Sequence, residues 1–135
     1  MAIERRYALI GHVHPFDGSL VVQSAAQTIG SPNVLTQLNM GTIEVPDGVR
    51  RVRVRAQVAW EDDPTTGYRL ATIRKNGSDS YEGFAKEQTE VGRFQNLATA
   101  AIEVEAGDEF EVAVAHAVVG GLDVTAAWME LEVIE

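Results

Sequence analysis

The run VRRVRVRAQVAW constrains the fold of this chain more than any other stretch, because apolar and polar residues alternate through it. Its apolar residues share one parity: Val52, Val54, Ala56, Val58 and Trp60. Its polar residues share the other: Arg51, Arg53, Arg55 and Gln57. Successive side chains of a strand point to opposite faces, so the alternation predicts a half-buried β-strand.

Further strands follow, with turn-forming residues between them at intervals of about ten residues. Asn76-Gly77 follows YRLATIRK and predicts a β-hairpin. The parity of the apolar residues changes along LDVTAAWMELEVIE, which predicts a β-bulge near residues 125–127. No helical period separates these strands, so the sequence predicts an all-β sandwich or barrel.

Composition narrows the function classes. The 135 residues suit one domain, and their formal net charge is −9. An acidic surface repels phosphate backbones and anionic lipid, so we expect no nucleic-acid partner. The chain has no cysteine, which excludes disulfides and thiolate metal sites.

The N-terminal part of the sequence has a less regular pattern of apolar and polar residues than the rest. MAIERRYALIGHVHP contains no apolar stretch of signal-peptide length, and no window is long enough for a membrane span. We therefore expect synthesis in a cytoplasm and no membrane insertion. Residues 1–32 are predicted to be an irregular N-terminal attachment or trimerisation segment, and residues 33–135 the head domain.

The segments VPDGVRRVRVRAQVAW, TGYRLATIRKNG and IEVEAGDEFEVAVAHAVVGGLDVTAAWMELEVI occur in an order that resembles a known family. It is the jelly-roll family of complement globular heads and tumour-necrosis-factor-like proteins, in the form found on bacteriophage fibres and spikes. The resemblance covers residues 33–135 and implies a two-sheet antiparallel, TNF-like jelly roll that assembles as a homotrimer. Val49 and Arg50 occupy the region where the family usually has an aromatic residue.

The resemblance also implies a function. Such phage heads often end a fibre or spike and bind the host surface, frequently a glycan. The expected protein is therefore non-enzymatic, made in a bacterial cytoplasm and incorporated into a virion. Its expected partners are its own copies, other particle proteins through the N-terminal segment, and a host glycan. The alternative is a structural protein that decorates a capsid or baseplate without binding a receptor.

Alanine is dense in two stretches that we expect to form neighbouring strands: Ala98, Ala100, Ala101, Ala113, Ala115 and Ala117. Small side chains allow close approach of subunits around a threefold axis. They equally allow tight packing of two sheets inside one subunit, and both explanations stay open.

The histidines suggest two kinds of site. A strand would direct His12 and His14 to the same side, and three copies would bring six imidazoles together, which suits a transition metal. The alternative is an exposed or partly buried pair in the attachment segment. His116 shares its parity with Val112 and Val114, so we predict a core histidine bonded to a backbone carbonyl.

Aromatic and arginine side chains are the candidate binding residues, because binding hot spots favour them. Tyr81, Phe84 and Tyr68 flank predicted turns and are candidate glycan ligands, unless they belong to the core. The arginine face of residues 51–55 is either a binding surface or pairs with acidic groups on a neighbouring strand or subunit.

No catalytic residue is predicted. A serine nucleophile would need a strand–turn–helix elbow, and paired carboxylates would need a cleft that a short-looped jelly roll does not offer. The carboxylates of WEDDP, at residues 61–63, suit either a calcium ion or a solvated turn.

Overall fold

The computed structural model describes residues 19–77 and 93–135 in full, and residues 11–13, 79–80 and 87–89 as backbone strands. None of these residues lies in a helix, and the described part of the chain contains no helix able to cross a membrane. Its strands form two antiparallel sheets, which confirms the prediction of an all-β, two-sheet fold.

The first sheet contains seven described strands: β1 (Gly11–Val13), β2 (Ser19–Ser24), β3 (Gln27–Ile29), β6 (Arg51–Trp60), β10 (Phe94–Ala98), β11 (Ile102–Glu103) and β13 (Leu122–Val133). The second contains six: β4 (Thr36–Gln37), β5 (Ile43–Glu44), β7 (Arg69–Lys75), β8 (Asp79–Ser80), β9 (Glu87–Thr89) and β12 (Glu109–His116). The first sheet has the order β1-β2-β13-β6-β10, with β3 also paired to β13 and β11 to β6. The second has the order β4-β12-β7-β8, with β5 also paired to β12 and β9 to β7.

The path of the chain between the sheets defines the fold. The chain changes sheet after β3, β5, β6, β9, β11 and β12. Two antiparallel sheets connected in this way form a jelly roll. The predicted hairpin is confirmed between β7 and β8, where Asn76 and Gly77 adopt left-handed φ values of 54° and 76°.

The core lies between the two sheets, and β6 contributes its apolar face to it as predicted. The five apolar residues of that face are at most 2% exposed. Apolar side chains of the second sheet pack in the same core cluster, among them Ile73, Phe110, Val112 and Val114. Burial of these apolar faces is the main favourable term in holding the sheets together.

The predicted β-bulge is confirmed in β13. Val124 is opposite Trp60 and Ala126 is opposite Ala59, so Thr125 is the additional residue. The Thr125 hydroxyl donates a hydrogen bond to the Ala59 carbonyl across 3.1 Å. Because of the bulge, two consecutive residues, Thr125 and Ala126, are exposed on the outer side of the first sheet.

The start of the sandwich differs from the predicted domain boundary. β2 and β3 precede residue 33, yet both pair with β13. Leu20, Val22 and Ile29 are at most 1% exposed and belong to the core. The expected irregular segment is therefore corrected for residues 19–29, which are part of the first sheet.

The alanine-rich stretches are not neighbours, which corrects a second expectation. β10 is in the first sheet and β12 is in the second, so the two strands do not pair. Ala98 and Ala100 are exposed, whereas Ala113 and Ala115 are buried. The exposed alanines therefore lie in the first of the two stretches, whereas Ala117 of the second is half-buried.

Candidate functional site

The outer face of the first sheet carries a ladder of ion pairs between β6 and β13, and we call the outward side chains of β2, β13, β6 and β10 the ladder face. Arg53 is directly opposite Glu132, and Arg55 directly opposite Glu130. The Nη1 atom of Arg53 is 3.1 Å from Oε1 of Glu132. Arg55 forms an ion pair with Glu130. The arginine face therefore pairs with acidic groups on the neighbouring strand, one of the two predicted outcomes.

The ladder makes this part of the surface electrically neutral. Arg51 forms a third pair with Glu135, with Nη1 and Oε2 3.1 Å apart. The hydrogen bond and the charge of Glu130 raise the pKa of Arg55. Three arginines thus meet three glutamates in a chain whose net charge is −9. The ladder face can consequently approach an uncharged or acidic partner with less repulsion than the rest of the surface.

A row of amides and one indole crosses the ladder face next to the ion pairs. Trp128 is opposite Gln57 on β6 and opposite Gln23 on β2, and Gln57 is opposite Asn96 on β10. The Trp128 indole N–H donates to Oε1 of Gln57 across 3.3 Å. The Nε2 atom of Gln57 donates to Oδ1 of Asn96 across 2.9 Å. These bonds fix the orientation of the indole and of the Gln57 amide.

A groove of about 240 Å³ lies beside the half-buried indole. It is lined by Gln23, Ser24, Gln57, Ala59, Ala126, Ala127 and Trp128. Trp128 is not among the ligand residues predicted from sequence, although the alternation around it contains the signal. Met129 and Leu131 point inward, so Trp128 must point outward with Glu130.

Phe94 marks the β10 side of the ladder face. Its side chain is 56% exposed, and the guanidinium carbon of Arg93 lies 5.2 Å from the centre of its ring. β10 pairs with β6 on one side and is the last described strand on its side of the sheet. An exposed aromatic side chain on an edge strand is a potential contact for another molecule.

A buried polar cluster (Trp60, Arg69, Gln95 and His116) underlies the sandwich end that carries loops 30–35, 61–68 and 117–121. The Trp60 indole N–H donates to Oε1 of Gln95 across 2.8 Å, and Nε2 of Gln95 donates to the Arg69 carbonyl across 2.8 Å. The Trp60 and His116 rings meet edge-on, with centroids 6.0 Å apart. The cluster connects β6 and β10 of one sheet to β7 and β12 of the other.

His116 is the core histidine that the sequence predicts. It is fully buried, and its Nε2 atom lies 2.7 Å from the carbonyl oxygen of Ile29. The Val118 N–H donates to Nδ1 across 3.0 Å. Nδ1 is therefore an acceptor and Nε2 a donor, which is the neutral Nε2–H tautomer. One imidazole holds the ends of two loops.

Arg69 holds the loop between β6 and β7 from beneath. Its side chain is 1% exposed. Nη1 donates to the carbonyls of Thr65 and Gly67 at 2.9 and 2.6 Å, and Nη2 donates to the carbonyl of Asp63 at 3.0 Å. The planar guanidinium fork suits several acceptors at once, so this loop has a fixed shape.

The acidic groups of WEDDP hold backbone N–H groups. Oε1 of Glu61 accepts from the Asp123 N–H at 2.8 Å, and Oδ1 of Asp63 accepts from the Thr65 N–H at 2.8 Å. Hydrogen bonds from the Thr65 side chain and backbone lower the pKa of Asp63. Across the described ranges, no three acidic or histidine side chains group in a way that holds a metal ion. These contacts favour the structural interpretation of the turn.

Of the predicted ligand residues, the structure places Tyr68 at the loop end. Its half-buried side chain donates from the hydroxyl to Oδ1 of Asn33 across 2.8 Å and so connects two loops. Tyr81, Phe84 and His14 lie outside the described residues. His12 lies in β1, where only its backbone pairing with Val21 is described.

A larger open groove, of about 690 Å³, lies at the opposite end of the sandwich. Its lining is mostly charged: Arg50, Arg51, Lys75, Glu103, Val104, Glu105, Asp108 and Glu135. Arg51 already pairs with Glu135, and Nζ of Lys75 is 3.4 Å from Oδ2 of Asp108. This groove therefore differs in chemistry from the groove beside Trp128, whose lining is uncharged.

The fold is shared with solved structures at low sequence identity. The chain is similar to the CBM36-1 domain of a multidomain xylanase from the hindgut metagenome of Trinervitermes trinervoides. The TM-score is 0.51 at 10% identity, over 87% of this chain and 98% of that one. It is also similar to infectious bursal disease virus VP2 from a subviral particle. There the TM-score is 0.56 at 5% identity, over 98% of this chain and 36% of that one.

A third similar structure is dimeric latent PorU from Porphyromonas gingivalis, with a TM-score of 0.53 at 8% identity, over 97% of this chain and 14% of that one. The chain thus spans about a third of VP2 and a smaller share of PorU. No protein-family model matches the chain, and no curated protein matches it. The comparisons therefore show the fold alone, a two-sheet jelly roll that this chain shares with the CBM36-1 carbohydrate-binding module and with VP2.

Proposed function

We propose that this chain is the non-enzymatic head of a fibre or spike on a phage or phage-like particle, and that as a homotrimer it binds a glycan on the host surface. Residues at the N-terminal end attach the head to the particle. Three sites in one trimer, and many trimers on one particle, raise the avidity of weak individual sites.

The observation that carries the glycan part is the chemistry of the ladder face around Trp128. An indole offers an apolar plane, and the neighbouring amides offer both donors and acceptors. The carbohydrate-binding module among the similar structures supports the same ligand class. The described carboxylates of the ladder face, Glu130 and Glu132, form ion pairs with arginines. This pairing supports a site that binds a glycan without catalysis.

Edge strand β10 supports self-association. The segment from Phe94 to Ile102 contains no charged residue and no proline, although natural edge strands are usually protected by such residues. Phe94, Ala98 and Ala100 are exposed along it. A second copy of the chain is a partner that fits an uncharged edge on an otherwise acidic molecule.

Light scattering of the full chain at micromolar concentration tests the homotrimer. We expect three times the chain mass, and the mass of one chain for Phe94→Lys, because the lysine adds a charge to each contact. A stable monomer of the unmodified chain would overturn the homotrimer.

Glycan binding is tested with the full chain on an array of neutral and acidic oligosaccharides and on intact host cells. We expect binding to at least one glycan class and to the cells. Binding to neither the glycans nor the cells would overturn receptor binding. It would favour the second candidate, a decoration protein of a capsid or baseplate. The likeness to VP2 over 98% of this chain favours that candidate. A decoration protein binds particles that lack it and does not bind cells.

The metal site at His12 and His14 is also part of the proposal. Three copies around one axis would supply six imidazoles to one transition metal ion. Elemental analysis of the purified protein is expected to show one metal ion per three chains. A metal content no higher than that of His12→Ala would overturn the site.

A further inference from the structure

We infer that the groove beside Trp128 is a subsite for a single ring of an uncharged sugar. This inference rests on the glycan binding proposed above. It specifies the place at which the sugar binds and the class of sugar. Every residue that lines the groove is uncharged, in a chain with a net charge of −9. A neutral lining in an acidic protein selects a neutral ligand, because an anion would be repelled by the remaining surface.

The floor of the groove is made of small side chains. Ala59 and Ala126 are opposite each other on β6 and β13, and the bulge at Thr125 exposes two consecutive residues there. Methyl side chains leave the space above the sheet open, so a ring can approach the backbone. The volume of about 240 Å³ suits one ring better than a chain of rings.

One wall of the groove is the indole of Trp128. Its N–H is held by Gln57, and the Gln57 amide is held in turn by Asn96. The ring plane is therefore set before a ligand arrives, which reduces the ordering that binding requires. The C–H groups on one face of a sugar ring can pack against such a plane.

The amides at the rim match sugar hydroxyls. Gln23 is exposed on the β2 side of the groove, opposite Trp128. A primary amide donates through NH₂ and accepts through its oxygen, and a hydroxyl also does both. The nearest charged residues in register, Arg55 and Glu130, form an ion pair with each other. Because each of these two charges is already paired, neither is free to bind the carboxylate of a sialic or uronic acid.

The test measures the affinity of the full chain for the best neutral oligosaccharide found on the array, by calorimetry. We expect Trp128→Ala to weaken binding about tenfold or more, since tryptophan is a frequent hot spot. Ala126→Leu fills the groove without removing the indole, and this variant is expected to abolish binding. Gln37→Ala, an exposed change on the second sheet, is the matched control and is expected to leave the affinity unchanged. If Trp128→Ala fails to fold, the affinity of Ala126→Leu for the same oligosaccharide tests the subsite.

The outcomes separate this inference from the proposed function. Binding by the unmodified chain that survives both groove variants, or that is lost in Tyr68→Ala instead, would overturn the subsite and leave glycan binding standing. A preference for acidic over neutral glycans would also overturn it. A chain that binds no glycan would overturn both.

Discussion

Trp60 and Gln95 form a hydrogen bond of 2.8 Å inside the sandwich, and both side chains are fully buried. Gln95 also donates to the carbonyl of Arg69 on the other sheet. One amide therefore joins β6 and β10 to β7 at the end that carries the loops. Because a buried polar group without a partner is costly, this pairing should matter more for stability than any ion pair on the surface.

Replacing Gln95 with leucine is expected to lower the free energy of unfolding by about 2–4 kcal/mol, since the Trp60 N–H and the Arg69 carbonyl each lose a buried hydrogen bond. Urea denaturation of the Gln95→Leu and unmodified chains measures the difference. Asn96→Ala is the control, because it lies on the exposed face of the same strand and should change stability by less than about 0.5 kcal/mol. Equal losses in the two variants would contradict the role of Gln95.

The hydrogen bonds of His116 predict its tautomer. Nδ1 accepts from Val118 and Nε2 donates to Ile29, so the proton is on Nε2. Nitrogen-15 NMR of the imidazole distinguishes the two neutral forms. We expect a protonated Nε2 and an unprotonated Nδ1, and the reverse assignment would contradict the contacts that hold the two loops.

Asp108 is expected to contribute to the loss of stability of the fold at low pH. Its pKa is lowered chiefly by the Glu105 N–H, 2.9 Å from Oδ2, and further by Asn76 and Lys75. A carboxyl whose folded pKa is below its unfolded value of about 3.9 stabilises the fold above that value. The contribution is lost as pH falls through the folded pKa. Unfolding of the unmodified chain and of Asp108→Asn should therefore differ most near neutral pH and converge below about pH 4. A constant difference across this range would show that the ionised carboxylate is not the cause.

The Arg53–Glu132 pair should contribute little, because its side chains are 45% and 36% exposed. A double-mutant cycle of Arg53→Gln and Glu132→Gln is expected to give a coupling of about 0.2–1 kcal/mol. The coupling should fall in about 1 M salt, where the Debye length is about 3 Å. The same cycle with Glu44, on the other sheet, is the control and should show no coupling. A value well above this range would mean that the ladder face is desolvated, as it would be inside an oligomer.

Local alternation made several features predictable from sequence. The burial of β6, the bulge at Thr125 and the inward position of His116 all follow from side-chain parity. The pairing of Arg53 and Arg55 was predictable as one of two outcomes. The first three features depend on residues close in sequence, whereas the partners of Arg53 and Arg55 are on the distant strand β13, so that pairing could be predicted only as an alternative.

Features that depend on the pairing of distant segments were not predictable in this way. β2 and β3 belong to the first sheet because they pair with β13, and the paired residues are about a hundred positions apart in the sequence. Whether two alanine-rich strands share a sheet depends likewise on the order of the strands. The groove beside Trp128 needs β2, β6 and β13 side by side, so no single stretch of sequence contains it.

The loops at the end of the sandwich are anchored by residues that are not in the loops. Arg69 binds loop carbonyls from β7, and His116 binds the backbone of two loops from β12. Because these contacts are made to main-chain atoms, they persist whatever side chains the loops carry. The tips can thus be exchanged during evolution, or grafted in the laboratory, while the scaffold beneath them remains the same.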